Sequence, residues 1–152
     1  MIRIEADDHE IRQLLAELKA KLGNATEAMD EIGELVKLSV KRNFEAEGRP
    51  QRWPKSARAQ AEGGQTLSDT GRLRNSFSHR AGPFAVEIGT NVQYAAIHHF
   101  GGVIRAKRAK ALAVPGIGLR RSVRMPARPF LLLQEQDKAL MLKILGRYLA
   151  AD

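Results

Sequence analysis

No cysteine occurs among the 152 residues. A disulfide framework and thiolate metal sites are therefore excluded, and the composition fits a reducing compartment. Aromatic residues make up only 5% of the chain, too few and too scattered for a base-stacking platform. No apolar run approaches the ~20 residues of a membrane-crossing helix. The N-terminus, Met1 to Asp8, is charged from Arg3 onward and has no secretory-signal core. The expectation is a soluble chain with no membrane partner, not exported by a conventional signal.

The most informative absence is of acid. No aspartate or glutamate lies between Glu87 and Glu135. That stretch carries Arg105, Lys107, Arg108, Lys110, Arg120, Arg121, Arg124 and Arg128, which account for the whole net charge of +8, because the other 17 basic residues balance 17 acidic ones. A neutral body with one basic segment points to an anionic partner, either nucleic acid or an acidic protein surface.

What is present reads as one domain, 1–152, large enough to bury a core. Ile2 and Ile4 alternate with Arg3 and Glu5 as in a short strand. Asp7 or Asp8 can cap a helix, and Ile11, Leu14, Leu15, Leu18 and Leu22 follow at helical spacing. Gly23-Asn24 interrupts, Thr26 offers a new cap, and Met29, Ile32, Val36, Val40 and Phe44 continue the pattern. This predicts one long bent helix or two collinear ones, ending near Glu47-Gly48.

From about 48 to 66 the chain reads as a polar loop. Pro50 and Pro54 exclude helix interior, Trp53 is expected to pin the loop to the core, and Lys55 to Gln65 is expected to be mobile. Ser68, Asp69 or Thr70 can cap a short helix marked by Leu73 and Phe77. Phe84, Val86 and Ile88 alternate with Ala85, Glu87 and Gly89 after Ala81-Gly82-Pro83, which is a hairpin signal.

Tyr94 to Gly102 is the densest block, a short helix stopped by Gly101-Gly102. Its spacing places Tyr94, Ile97 and His98 on one side, and Tyr94, Ile97, His98, Phe100 and Phe130 are expected in the core. The basic arm, about 103–128, is either a hairpin, with strands near Ala111–Val114 and Ser122–Met125 around a flexible tip, or a disordered segment. Pro126 to Phe130 breaks regular structure before a last helix whose apolar face holds Leu133, Leu140, Met141, Ile144, Leu145, Tyr148 and Leu149. The fold class predicted is α+β, a small antiparallel sheet packed against a long N-terminal helix and a C-terminal helix.

No catalytic constellation is legible. His98 and His99 have no carboxylate within ten residues, and adjacent helical side chains diverge by about 100°, so they do not readily grip one ion. No nucleophile elbow, P-loop or dinucleotide fingerprint occurs. The chain is read as a non-enzyme without cofactor or metal. Any DNA contact is expected through phosphates, sequence-independent and salt-sensitive.

The order of blocks resembles the phage virion morphogenesis family, the tail completion proteins of tailed bacteriophages and prophages. The carrying residues are Phe44 and Gly48, then Trp53-Pro54. Leu67 with Thr70-Gly71-Arg72-Leu73-Arg74-Asn75-Ser76 follows. Next come Ile88-Gly89-Thr90, Tyr94 through Gly102, and Pro126-Ala127-Arg128-Pro129-Phe130-Leu131, with the closing helix after them. His99 stands where the family pattern is expected to hold glutamine.

The resemblance implies a structural protein in the virion, at the tail or head–tail interface, assembled in the host cytoplasm. It implies a ring-like homo-oligomer with other phage tail or connector proteins as partners, and Trp53, Thr70, Gly71, Leu73, Tyr94, His98, Phe100, Gly101, Gly102, Pro129 and Phe130 as structural motif residues. In such a ring the arm, repeated by symmetry, forms a positive collar facing DNA or an acidic protein ring. The alternative is a small sequence-independent DNA-binding protein using the 105–128 segment.

Overall fold

A computed structural model of the protein describes residues 8–151; the strand expected at Ile2–Ile4 and the cap offered by Asp7 lie outside them. Helix α1 (His9–Leu22) starts where the Asp8 carboxylate accepts the backbone N–H groups of Glu10 and Ile11. It ends at Gly23, whose φ of 65° makes a left-handed cap. Helix α2 (Thr26–Glu45) is therefore a separate element. Thr26 is its first residue rather than its cap. Ala25 holds the cap position, and the Asn24 side chain accepts from the Thr26 amide and hydroxyl.

Helix α2 is the central element. Its apolar repeat (Met29, Ile32, Val36, Val40, Phe44) is buried throughout. It packs on the C-terminal helix α5 (Glu135–Ala150) and on a hairpin of β1 (Ser78–Ala81) and β2 (Val86–Gly89). Val86 and Ile88 lie half-buried against this core. Helix α1 also packs on α5, and Lys21 donates to the carbonyls of Leu149 and Ala151 at its end, where the helix presents unpaired acceptors and negative potential.

The arm is a hairpin. At its base β3 (Gly102–Arg105) pairs with β6 (Ser122–Met125), and towards its tip β4 (Leu112–Val114) pairs with β5 (Gly118–Arg120). The architecture is α+β, with antiparallel pairing divided among three two-stranded ladders and a C-terminal helix.

Three local expectations fail. Lys55–Gln65 is not a bare mobile loop: it contains α3 (Ala57–Glu62), started by the Ser56 hydroxyl accepting the Ala59 amide and tied down by Arg58 to the Gln65 carbonyl. Leu67–Phe77 forms turns, not a helix; Leu67 and Gly71 both have positive φ, 61° and 76°, which breaks helical hydrogen bonding. The arm tip is docked: a Cβ on Gly116 would stand 2.4 Å from the Ala57 carbonyl oxygen, so glycine lets the tip close onto α3.

A buried polar network joins distant elements. Asn43 of α2 donates to the Phe130 carbonyl at 2.7 Å and accepts from Arg49 at 2.8 Å. Arg49 also donates to the Ser39 carbonyl and hydroxyl. The Ser39 hydroxyl donates to Asp137, which also accepts the Gln134 amide at the start of α5. Replacing Asn43 with leucine orphans the Phe130 carbonyl and the Arg49 Nε–H together. A loss of about 2–4 kcal/mol is expected, read from the urea midpoint; a loss under about 1 kcal/mol would mean water replaces the amide.

Candidate assembly interface

Helix α4 (Ala95–Phe100) links the core to the arm. Its buried residues are Ala95 and His99, whereas Tyr94 is 41% and Phe100 60% exposed. The expectation that Tyr94 and Phe100 fill the core is thus overturned. His98 is half-buried, its ring edge-on to Tyr94. The reason is a backbone constraint. Gly101, at φ 73°, lies so close to the Met125–Ala127 chain that a Cβ would meet the Ala127 nitrogen at 2.7 Å. That contact fixes the helix's rotation and turns His99 inward.

His99 Nδ1 accepts the backbone N–H groups of Phe130 at 3.3 Å and Leu131 at 3.5 Å, which requires the other ring nitrogen to carry the proton. Its ring lies edge-on between Phe100 and Phe130. A glutamine carbonyl in its place can accept the same amides. Phe130 is fully buried and stacks on Phe44, with Phe77 edge-on to it. Trp53 is buried edge-on to Phe44 and donates from Nε1 to the Pro129 carbonyl. The segment Pro129–Phe130 is thereby held from three sides.

Both histidines are held below the ordinary imidazole range by burial, His98 further by the nearby Arg128 charge. The sign follows: as pH falls through about 6.5, the unfolded chain takes up protons before the folded one does. Stability is complete above that value and falls below it, by up to about 1.4 kcal/mol per pH unit for each histidine. Denaturant midpoints at pH 7.5 and 5.5 should show the drop, and His99→Gln, which keeps an acceptor, should reduce it. An unchanged slope in that variant would refute the assignment to His99. Glu47, held low chiefly by the Thr66 amide, acts only at more acid pH.

Seven of the eight segment cations are exposed on the arm, and among the described residues none of the seven makes an ion pair with a carboxylate. In the β3–β6 ladder Val103 faces Arg124 and Arg105 faces Ser122. Strand alternation therefore puts Arg105 and Arg124 on one face, opposite Ile104, Val123 and Met125. Ile117 and Leu119 stand exposed near the tip, Leu119 at 69%.

The eighth cation is misplaced by charge-counting. Arg128 is only 3% exposed; its Nε–H donates to the Pro54 carbonyl at 2.7 Å and its backbone N–H to the His98 carbonyl at 2.8 Å. Burial lowers its pKa. It belongs to the core-side wall of a cleft, not to the arm.

The cleft, about 480 Å³, lies between the Lys55–Gln60 segment, the Leu67–Leu73 turns, α4 and the inner face of the arm. Leu73 is buried in its floor, while Thr70 and Arg72 sit exposed at the rim, the Thr70 hydroxyl accepting the Arg72 amide. No group of three or more potential metal ligands occurs among the described residues. No helix there is long and apolar enough to cross a membrane.

The profile of the phage virion morphogenesis family matches residues 6–150. The chain belongs to that family. It is also similar to the Mu-like prophage FluMu G protein 2 of Haemophilus influenzae (strain ATCC 51907 / DSM 11121 / KW20 / Rd), with 36% identity over 149 residues, covering 97% of this chain and 96% of the relative. No solved structure gives a significant match. Family membership gives the role as one in phage virion morphogenesis.

Proposed function

We propose that this member of the phage virion morphogenesis family is a non-enzymatic structural protein of tail completion or head–tail joining. It acts as a ring-like homo-oligomer in the virion, in contact with other tail or connector proteins. The observation that carries the reading is the arm. A hairpin with seven exposed cations and solvent-facing Val103, Ile104, Ile117 and Leu119 is built for contact with another surface. Apolar side chains interleaved with unpaired charge fit a protein interface better than a phosphate rail. Repetition around a ring turns a modest patch into a strong collar.

Deletion of the gene from the phage or prophage that carries it tests this directly by electron microscopy of the lysate. Filled heads beside unjoined or overlong tails are the expected result. Normal infectious particles would refute it and turn attention to the purified chain as a sequence-independent DNA binder, whose affinity must then fall steeply with salt.

A further inference from the structure

The cleft under the arm has chemistry that neither the family role nor the arm accounts for. Among the described residues Arg128 Nη1 and His98 Nδ1 are both buried without a hydrogen-bond partner, and both residues line this cleft. The guanidinium is held by Pro54 through Nε, so one N–H edge is desolvated and unpaired, an arrangement that is costly unless something completes it. Lys55, Arg58 and Arg72 also line the cleft; its one carboxylate, Asp69, already stands 3.7 Å from Arg58. Arg124 borders the cleft through its strand, but strand alternation turns its side chain to the outer face. Leu73, Ile117, Val123 and Met125 give the cleft an apolar wall. Gly116 seated on Ala57 holds the arm tip over the cleft.

We infer that this cleft is a socket for an acidic segment of a partner protein chain, an aspartate or glutamate side chain flanked by apolar residues. The carboxylate pairs with the Arg128 guanidinium, and its apolar neighbours lie on Val123, Met125 and Ile117. One feature favours a carboxylate over a nucleic-acid phosphate: phosphates come in a stiff row without apolar neighbours, whereas this guanidinium stands beside Val123, Met125 and Ile117. A recessed guanidinium in an apolar wall admits a single side chain instead, and a buried charge-assisted pair is among the stronger polar contacts. The inference goes beyond the tail-completion reading, since peptide capture is testable whether or not the partner belongs to a phage tail.

The test is a nuclear magnetic resonance titration of the full chain with acetyl-Leu-Asp-Leu-Leu-amide and its asparagine counterpart. The aspartyl peptide should shift the Arg128 Nε–H and His98 ring signals and raise the His98 titration midpoint, and it should bind about tenfold or more tighter than the asparaginyl one. Lys55→Ser with Arg72→Ser, both exposed rim positions, should weaken it about fivefold without changing the spectrum elsewhere. Arg128→Gln should abolish the preference; the rim variant keeps the test decisive if Arg128→Gln does not fold. Equal binding of the two peptides, no shift with either, or stronger displacement of the same signals by inorganic phosphate or a short DNA duplex would overturn the assignment.

Discussion

Truncating Phe130 to alanine is expected to cost about 3–5 kcal/mol, a large part of the 5–15 kcal/mol that typically holds a domain together. The side chain is fully buried. Its ring centroid lies 5.3 Å from Phe44, 5.6 Å from Phe77 and 4.8 Å from His99, so its removal leaves a cavity walled by three rings. Those rings belong to α2, the segment before β1, and α4, and they cannot collapse together because each is fixed elsewhere. The backbone at Phe130 receives the Asn43 amide and donates to His99, so relaxation into the cavity must stretch these bonds too. Urea unfolding followed by circular dichroism measures the loss. Phe130→Leu, which retains most of the volume, should lose no more than about 1–2 kcal/mol. A cost for alanine below about 1.5 kcal/mol would show that this aromatic cluster is not the centre of the core.

The second large effect is on assembly rather than folding. Replacing Arg120, Arg121 and Arg124 with serine should leave stability within about 0.5 kcal/mol of the parent. All three are exposed, and Arg120 donates to the neighbouring Leu119 carbonyl. Infectious particle yield should nonetheless fall about a hundredfold or more, because in the proposed ring a per-subunit loss is multiplied around the assembly. A melting curve and plaque counts from the same lysates check both halves. A normal yield would remove the arm from assembly, and a lowered melting temperature would show that the arginines support the fold instead.

How legible each element was depended on how local its cause is. The α2 repeat was readable because five apolar residues at helical spacing leave only one face to bury. The β1–β2 hairpin was readable from alternation around Gly82-Pro83. Helix α4 was readable from its Gly101-Gly102 stop, but its inward face was not, because six residues make fewer than two turns and hydrophobicity alone chooses its aromatics for the core. The inward residue is His99, through contacts distant in sequence: Gly101 packs on the Met125–Ala127 backbone, and Nδ1 then accepts the Phe130 and Leu131 amides about 31 positions away. The Lys55–Gln65 stretch looked mobile because α3 is polar and short; its Ser56 cap was the available signal. The Asn43–Arg49–Ser39–Asp137 network left no trace, since its members are ordinary surface residue types until the chain brings them together.

By itself, the sequence determined the family, the α+β class, the central amphipathic helix and a basic segment without acid. Each follows from composition, local periodicity or the order of motifs along the chain. Tertiary structure decided the division of labour among the cations. Seven stay in water on a hairpin, whereas Arg128 is drawn into the body by a carbonyl 74 residues away. It also decided that the arm tip rests on α3 and so makes a cleft. Both depend on which backbone groups meet across the fold, and long-range pairing of that kind has no signature in the neighbouring residues.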